Sequence, residues 1–222
     1  MDKIKTTHVG SLPRSKKLSE ILFKKDKNEL FDQGELDKII EEDVNKIVKK
    51  QIDIGIDIIS DGEMSKISYA TYVKDRLHGF SGESERRAPK DLDDFPSYKE
   101  KIAKSGGTPT YTRPCCTADL KIKDTKSLTK DISNLKSALK KNNHPKGFIN
   151  SASPGVISNF LPNKFYKNDY EYLEALSKIM KTEYDEITKN DLLLQIDCAD
   201  LALARHMSCL LYTSDAADDT LW

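Results

Sequence analysis

Apolar residues recur at three- and four-residue spacing through several segments of the chain, which is the pattern of helices that bury one face. The clearest segment is residues 35–53, where lysine and glutamate occupy the opposite face and the apolar positions are Leu36, Ile40, Val44, Ile47, Val48 and Ile52. The same spacing predicts helices over residues 128–141 and 169–189, and shorter helices over residues 15–25 and 67–80. A helix with one apolar face must pack that face against another layer of structure.

Short apolar runs without polar alternation lie between these helices, and such runs are typical of strands buried on both faces of a parallel sheet. We predict strands at residues 6–9, 57–60, 148–150 and 192–196. Residues 108–121 are predicted to hold one further strand, or two that are interrupted at a proline. Five strands therefore alternate with the helices.

This alternation indicates an α/β protein in which helices cover a parallel sheet. A doubly wound sheet and a TIM (β/α)8 barrel share that order. The barrel is favoured because the chain has no glycine-rich nucleotide loop and because chemically useful residues follow several strands. A complete barrel has about eight strands, whereas about five βα units are predicted here. We therefore predict an incomplete barrel, with residues 81–107 as a long polar excursion from its rim.

Charge and composition exclude several classes of protein. The chain has 36 lysine and arginine residues against 36 aspartate and glutamate residues, so it lacks the basic field expected of a nucleic-acid-binding protein. No apolar run is long enough for a membrane span, and the N-terminus MDKIKTTHVG lacks the apolar core of a secretory signal. The four cysteines form no C-x-x-C pair, and adjacent Cys115 and Cys116 are interpreted as small buried hydrophobic residues. We expect a cytoplasmic protein that acts on small molecules.

The carboxyl ends of parallel strands carry the chemistry of α/β folds, so the residues that follow each predicted strand are candidate site residues. They are Ser11, Glu63, Arg113, Ser153 and Asp197. Gly10 would let backbone N–H groups approach a ligand closely. Structural alternatives exist: Gly10 and Ser11 form an ordinary turn, Glu63 flanks a glycine turn, and Asp197 only starts a loop. Phe160 either stacks on a flat ligand or caps the core.

Five segments, collinear along the chain, resemble motifs of the cobalamin-independent methionine synthase family. They are HVGSLPR at 8–14, ISDGEMSK at 59–66, TYTRPCC at 110–116, SASPGVISNFLPN at 151–163 and LLLQIDCADLALARH at 192–206. Together they extend over about residues 4–207 and are most similar to the short, single-barrel relatives, which correspond to the C-terminal catalytic half of the long enzymes. The resemblance implies a TIM barrel and a zinc enzyme that moves a methyl group from methyltetrahydrofolate to the thiol of homocysteine.

The resemblance also implies roles for individual residues. Gly10, Ser11 and Glu63 match positions that hold the amino-acid substrate. Asp197 matches the carboxylate that pairs with the ammonium group of that substrate, and it is the candidate catalytic residue. Arg113 borders the folate site, and Phe160 lies near a position where the long enzymes carry an aromatic residue for the pterin. Zinc would bind and deprotonate the thiol, because the thiolate is the better nucleophile.

The zinc ligands of the family lie downstream of the last of these motifs, as an H-x-C pair, a glutamate and a cysteine. This chain contains no H-x-C, and His206 and Cys209 have the wrong spacing. His8, His78 and His144 are interpreted as residues that bind no metal. We therefore expect zinc in a full-length parent protein and no metal ligand in the chain itself.

Residues 209–222, CLLYTSDAADDTLW, depart from the family and resemble the translation of a transposase-derived sequencing adapter. We predict a partial catalytic domain over residues 1–208, followed by a tail that is not native. The chain alone is then expected to be inactive. Two alternatives remain open: a zinc-dependent alkyltransferase for another thiol, of the coenzyme M type, and a fragment that binds an amino acid without catalysis.

Overall fold

The computed structural model describes residues 3–84, 94–105 and 111–201, and the tail at 209–222 lies outside them. The described part is an α/β protein. In chain order its elements are α1 Lys16–Asp26, α2 Gln33–Asp53, β1 Ile59–Ser60, α3 Val73–Arg76, β2 Leu77–Ser81, α4 Pro96–Ser105, β3 Cys115–Ile122, α5 Lys126–Lys141, β4 Gly147–Ala152, α6 Pro154–Phe160, α7 Asp169–Lys189 and β5 Leu193–Asp197. None of its helices has both the length and the apolarity needed to cross a membrane.

The described strands include a partial parallel sheet in the order β1-β4-β5. Ile59 lies opposite Gly147, and residues 148–152 of β4 pair in register with residues 193–197 of β5. The predicted strand at residues 6–9 is reduced to a single parallel bridge, between Thr7 and Ile58, on the other side of β1. The carboxyl ends of these segments therefore lie along one edge of the sheet.

The strand predicted within residues 108–121 does not join this sheet. β3 begins directly after Pro114 and pairs antiparallel with β2. β2 overlaps residues 67–80, for which the apolar spacing predicts a helix. That helix is only α3, of four residues. Gly79 sits at a register shift in the pair, with φ +106°, where an added Cβ would lie 2.8 Å from the Ala118 carbonyl oxygen. Among the described residues the parallel sheet thus holds three strands and one bridge rather than five strands, and its closure into an incomplete barrel stays a prediction.

Helices α2 and α5 pack together over one side of the sheet. The predicted face of α2 is buried as expected, with Leu36 and Val48 almost fully enclosed, and Leu135 of α5 joins them. Asp32 caps α2 by accepting a hydrogen bond from the Glu35 N–H at 2.7 Å. All six residues of β4 are buried. The prediction that β5 is also buried on both faces is wrong. Because β5 is the edge of the described sheet, Leu193 keeps 52% of its surface exposed.

A buried ionic network connects the segment after β1 to α5, α7 and β4. Arg76 donates to Asp131 at 2.5 Å and to Glu183 at 2.6 Å. The hydroxyls of Tyr72 and Ser151 also donate to Glu183, at 2.5 and 2.6 Å. Burial opposes ionisation of Glu183, but the charges of Arg76 and Lys66 and the hydrogen bonds from these two hydroxyls together outweigh it, so the pKa of Glu183 lies below its ordinary value. Burial of each charged group lowers the stability of the fold by several kcal/mol. The ion pairs and hydrogen bonds compensate for this loss only while every charged group of the network has a partner.

Candidate functional site

Glu63 is held at the strand ends by donors from two neighbouring segments. The Ser11 hydroxyl donates to Glu63 Oε2 at 2.6 Å, and the Asn150 side-chain N–H donates to Oε1 at 3.0 Å. Ser11 follows the bridge at Thr7, Glu63 follows β1, and Asn150 belongs to β4. The Glu63 side chain is buried, so these two donors fix the direction of its carboxylate.

The backbone around Glu63 is strained. Glu63 has φ +56° and Gly62 has φ +65°, so a residue with a side chain adopts the left-handed conformation directly after a glycine. For a non-glycine residue this conformation costs on the order of 1 kcal/mol. The Glu63 N–H donates to Asp61 Oδ1 at 2.9 Å, which helps to hold the turn. Gly10, with φ +87°, makes a similar left-handed turn before Ser11.

Two cations support this turn. Arg14 Nη2 donates to the carbonyl oxygens of Glu63, at 2.7 Å, and of Lys66, at 2.6 Å. The ammonium of Lys66 donates to the Asn150 carbonyl oxygen and lies 4.4 Å from the centroid of the Tyr72 ring. Lys66 is 2% exposed. A buried lysine that is bound in this way compensates the carboxylates around it.

The carboxylates at the site interact electrostatically. Burial raises the pKa of Asp61 to about 6; Lys66 opposes the increase, and the negative charges of Asp131 and Glu63 add to it. Asp197, at the end of β5, is half-buried, and its pKa is raised first by burial and then by Glu63, against the effect of Lys66. The site therefore presents clustered negative charge, which suits a cationic group of a ligand.

Arg113 and Phe160 are in contact with each other. The Arg113 guanidinium carbon is 4.7 Å from the centroid of the Phe160 ring, and Arg113 Nη2 donates to the Tyr111 hydroxyl at 3.1 Å. The Tyr69 ring meets Phe160 edge to face, with centroids 5.5 Å apart. Burial raises the pKa of Tyr69, and the negative charge of Asp197 adds to the shift, so Tyr69 contacts Phe160 and also interacts electrostatically with Asp197. Phe160 is partly buried.

Sequence reasoning missed several residues of this site. They are Arg14, Asp61, Lys66, Tyr69, Tyr111 and Asn150. Asn150 ends the apolar run of β4, and a polar residue at that point was a signal that could have identified it. Ser153, a predicted strand-end residue, has a capping role instead: its hydroxyl oxygen accepts from the Val156 N–H at 3.0 Å and donates to Asp200 at 2.6 Å.

The described residues do not fit a zinc site. Across residues 3–84, 94–105 and 111–201, no three histidine, cysteine, aspartate or glutamate side chains are placed to hold a metal ion together. Cys115 and Cys116 are buried small residues, as predicted, and burial raises the pKa of Cys116 to about 11, which keeps its thiol protonated. His206 and Cys209 lie outside the described residues.

Comparison with known proteins places this chain in a family. Residues 4–150 match the family model of the cobalamin-independent synthase catalytic domain. A 75-residue segment is 29% identical to a 5-methyltetrahydropteroyltriglutamate–homocysteine methyltransferase of Lactococcus lactis and covers 34% of this chain and 10% of that enzyme. A segment of the same length is 32% identical to the enzyme of that name from Bifidobacterium animalis, again over 10% of its length.

Solved structures show the same fold at lower sequence identity. A B12-independent methionine synthase from Shewanella, in complex with selenomethionine, superposes with a TM-score of 0.59 at 19% identity, over 77% of this chain and 45% of that chain. A putative vitamin-B12 independent methionine synthase from Listeria monocytogenes gives a TM-score of 0.60 at 19% identity, over 91% of this chain and 55% of that chain. The chain thus spans about half the length of these structures. Through its match to the catalytic-domain model, the chain belongs to the cobalamin-independent methionine synthase family.

Proposed function

We propose that this chain forms the amino-acid side of a methyltransferase site at which the methyl group of methyltetrahydrofolate passes to the thiol of homocysteine. The observation that carries the proposal is the fixed carboxylate of Glu63, held by Ser11 and Asn150 and electrostatically coupled to Asp197. The names of the curated relatives support the reaction, and the Shewanella structure, bound to selenomethionine, supports an amino-acid ligand for this fold.

In this proposal Asp197 receives the ammonium group of the amino acid. Asp197 is half-buried and can reach a ligand, whereas Glu63 is buried and acts mainly through its charge and through Ser11. A charge-assisted hydrogen bond to an ammonium group is among the stronger polar contacts. Gly10 and Ser11 form the turn that the remainder of the amino acid would approach. Gly10 has no side chain, and the space where its Cβ would lie is open, so a ligand can come close to the backbone there.

The methylated pterin is proposed to lie against Arg113 and Phe160, with Tyr69 at the boundary with the amino-acid site. A flat ring stacks on an aromatic face, and a guanidinium plane over Phe160 extends that surface. During the transfer the bond from nitrogen to the methyl carbon breaks and a bond from sulfur to that carbon forms. The proton that the thiol loses is balanced by protonation of the folate nitrogen that leaves, so the products are methionine and tetrahydrofolate. Zinc, which the family resemblance implies for the parent protein, is assigned to no described residue.

We further propose that residues 1–208 represent part of the catalytic domain, that residues 209–222 are not native, and that this chain alone shows no turnover. Two alternatives are kept. An alkyltransferase for another thiol is favoured if a thiol without an ammonium group, such as coenzyme M, binds better than homocysteine. A binding fragment without catalysis is favoured if the amino acid binds but the methyl donor does not.

Isothermal titration of the 222-residue chain with homocysteine tests the proposal. The conservative variants Asp197→Asn and Glu63→Gln are expected to lower the affinity by about tenfold each, because each removes a charge that attracts the ammonium group. Glu174→Gln is the matched control, since Glu174 lies on the surface of α7, paired with Lys178. If both site variants bind homocysteine as well as the control does, the assignment is wrong. Formation of methionine from methyltetrahydrofolate and homocysteine would disprove the expected inactivity.

A further inference from the structure

A second polar cavity lies between α2, α5 and the segment that follows Glu63. Its volume is about 530 Å³, and neither Ser11 nor Asp197 lines it. Cavities of roughly 300–1,000 Å³ are typical of small-molecule sites. Six lysine and arginine side chains line it against four aspartates, so its walls carry an excess of positive charge.

Most of these charges are paired with each other. Lys25 contacts Asp75 at 2.8 Å, and Lys130 contacts Asp37 at 2.6 Å. Arg76 belongs to the buried network described above. These pairs neutralise three of the four aspartates of the lining and leave a smaller set of groups free to bind something else.

The remaining groups are mostly donors, and the fourth aspartate of the lining, Asp124, accepts a backbone hydrogen bond. Within the described part of the chain, Lys126 makes no ion pair, and its backbone N–H is the group that donates to Asp124, at 2.9 Å. Asn134 is 7% exposed, and its side-chain N–H group is buried without a hydrogen-bond partner. The Ser65 hydroxyl is buried without a partner as well. Buried polar groups are nearly always hydrogen-bonded, so two unpaired groups in one wall indicate that an acceptor from outside the chain belongs there.

Helix α5 begins at the same cavity. Its first residue is Lys126, and Thr125 before it makes no side-chain capping bond to the first turn. Asp124 Oδ1 accepts from the Lys126 N–H at 2.9 Å, so one N–H group of the first turn is already satisfied and the others remain for a ligand. The N–H groups of a first turn lack partners within the helix, and the helix dipole favours a negative charge beside them. The helix end, the free ammonium of Lys126 and the unpaired Asn134 and Ser65 therefore share one preference, for an anion.

We propose that this cavity binds a small molecule that carries a phosphate or carboxylate group, with Lys126, Asn134, Ser65 and the first turn of α5 as its contacts. The site is separate from the proposed amino-acid site and does not depend on it. Lys66 is shared between the two sites, because it lines the cavity while its carbonyl oxygen accepts from Arg14.

Titration of the isotope-labelled 222-residue chain, followed by NMR, tests this proposal. The probes are inorganic phosphate and, separately, succinate, each at constant ionic strength with sodium chloride as the reference salt. Saturable shifts are expected for the Asn134 side-chain amide and for the backbone of residues 65–66 with at least one probe. The probe that binds more tightly identifies the anion as phosphate-like or carboxylate-like.

Two lysine variants of α5 decide whether the binding is local. Lys126→Gln is expected to weaken it by about tenfold, whereas Lys140→Gln, which removes an exposed charge from the last turn of the same helix, leaves it unchanged. Lys126 is itself exposed, so its variant should fold, as circular dichroism can verify. Shifts that fail to saturate with both probes, or an equal loss in the two variants, would overturn the proposal.

Discussion

The Ser11 hydroxyl donates to Glu63 Oε2 at 2.6 Å across 52 residues of sequence, and this contact joins the first strand end of the sheet to the second. Asn150 donates to the other carboxylate oxygen from β4. The parallel arrangement of the bridge at Thr7, of β1 and of β4 thus places a donor on each side of Glu63. These contacts offset the cost of the left-handed backbone at Glu63 and give the strain a structural cause.

Removal of the Ser11 hydroxyl should release one side of this carboxylate. Ser11→Ala is expected to lower the free energy of unfolding by about 1–2 kcal/mol, since a hydrogen bond to a charged group is lost. Urea denaturation at neutral pH measures the change. Ser177→Ala, which removes an exposed hydroxyl bonded to its own helix, is the control. Equal stability of the two variants would show that the contact contributes nothing.

Asn150→Ala should have a larger effect. The variant leaves Glu63 Oε1 buried without its donor, and an unsatisfied charged group costs about 2–3 kcal/mol. Asn45→Ala, which removes an amide that bonds only to the Glu41 carbonyl oxygen within α2, should cost clearly less. Denaturant unfolding compares the two. The prediction fails if the two variants lose the same stability.

Asp61 gives a prediction about pH. Its pKa in the folded chain is about 6, above the ordinary value of 3.8, so between these values the folded state binds more protons than the unfolded state. The contribution of Asp61 is therefore present at low pH and is lost as the pH rises through about 6. Asp61→Asn, which removes the titration and can still accept from Glu63, should raise stability by about 1–3 kcal/mol at pH 7 relative to wild type, by linkage.

The difference between wild type and Asp61→Asn is the quantity to measure, because other carboxylates titrate in the opposite sense. Asp43 and Glu183, for example, have lowered pKa values and stabilise the fold as the pH rises. Denaturation at a series of pH values from 4 to 7 gives this difference directly. A difference that is constant across the series would contradict the raised pKa of Asp61.

Arg76→Met tests the buried ionic network. It would leave Asp131 and Glu183 without their common partner, and breaking a buried ion pair from one side costs about 3–5 kcal/mol. Lys178→Met, at an exposed pair on α7, should change stability by less than about 1 kcal/mol. Thermal or urea unfolding of both variants gives the comparison. A small loss for Arg76→Met would show that the ionic network contributes little to stability.

Much of this fold and site follows from local sequence. The apolar spacing in α2, α5 and α7 predicts these helices because a helix repeats every 3.6 residues and must cover a core. The buried run in β4 likewise identifies a strand. Residues at strand ends, such as Glu63 and Asp197, could be predicted as site candidates because parallel strands share one carboxyl edge. All of these inferences depend on neighbouring residues along the chain.

The rest was decided by tertiary structure. The antiparallel pairing of β3 with β2 replaces a predicted helix and a predicted barrel strand, because pairing partners distant in sequence outweigh a local apolar spacing. The contact of Asn150 with Glu63 spans 87 residues, and no local pattern contains it. The sequence by itself determined which residue types stand at the strand ends. Only the packing of the strands determined that Ser11 and Asn150 orient one carboxylate, because side-chain direction depends on strand register.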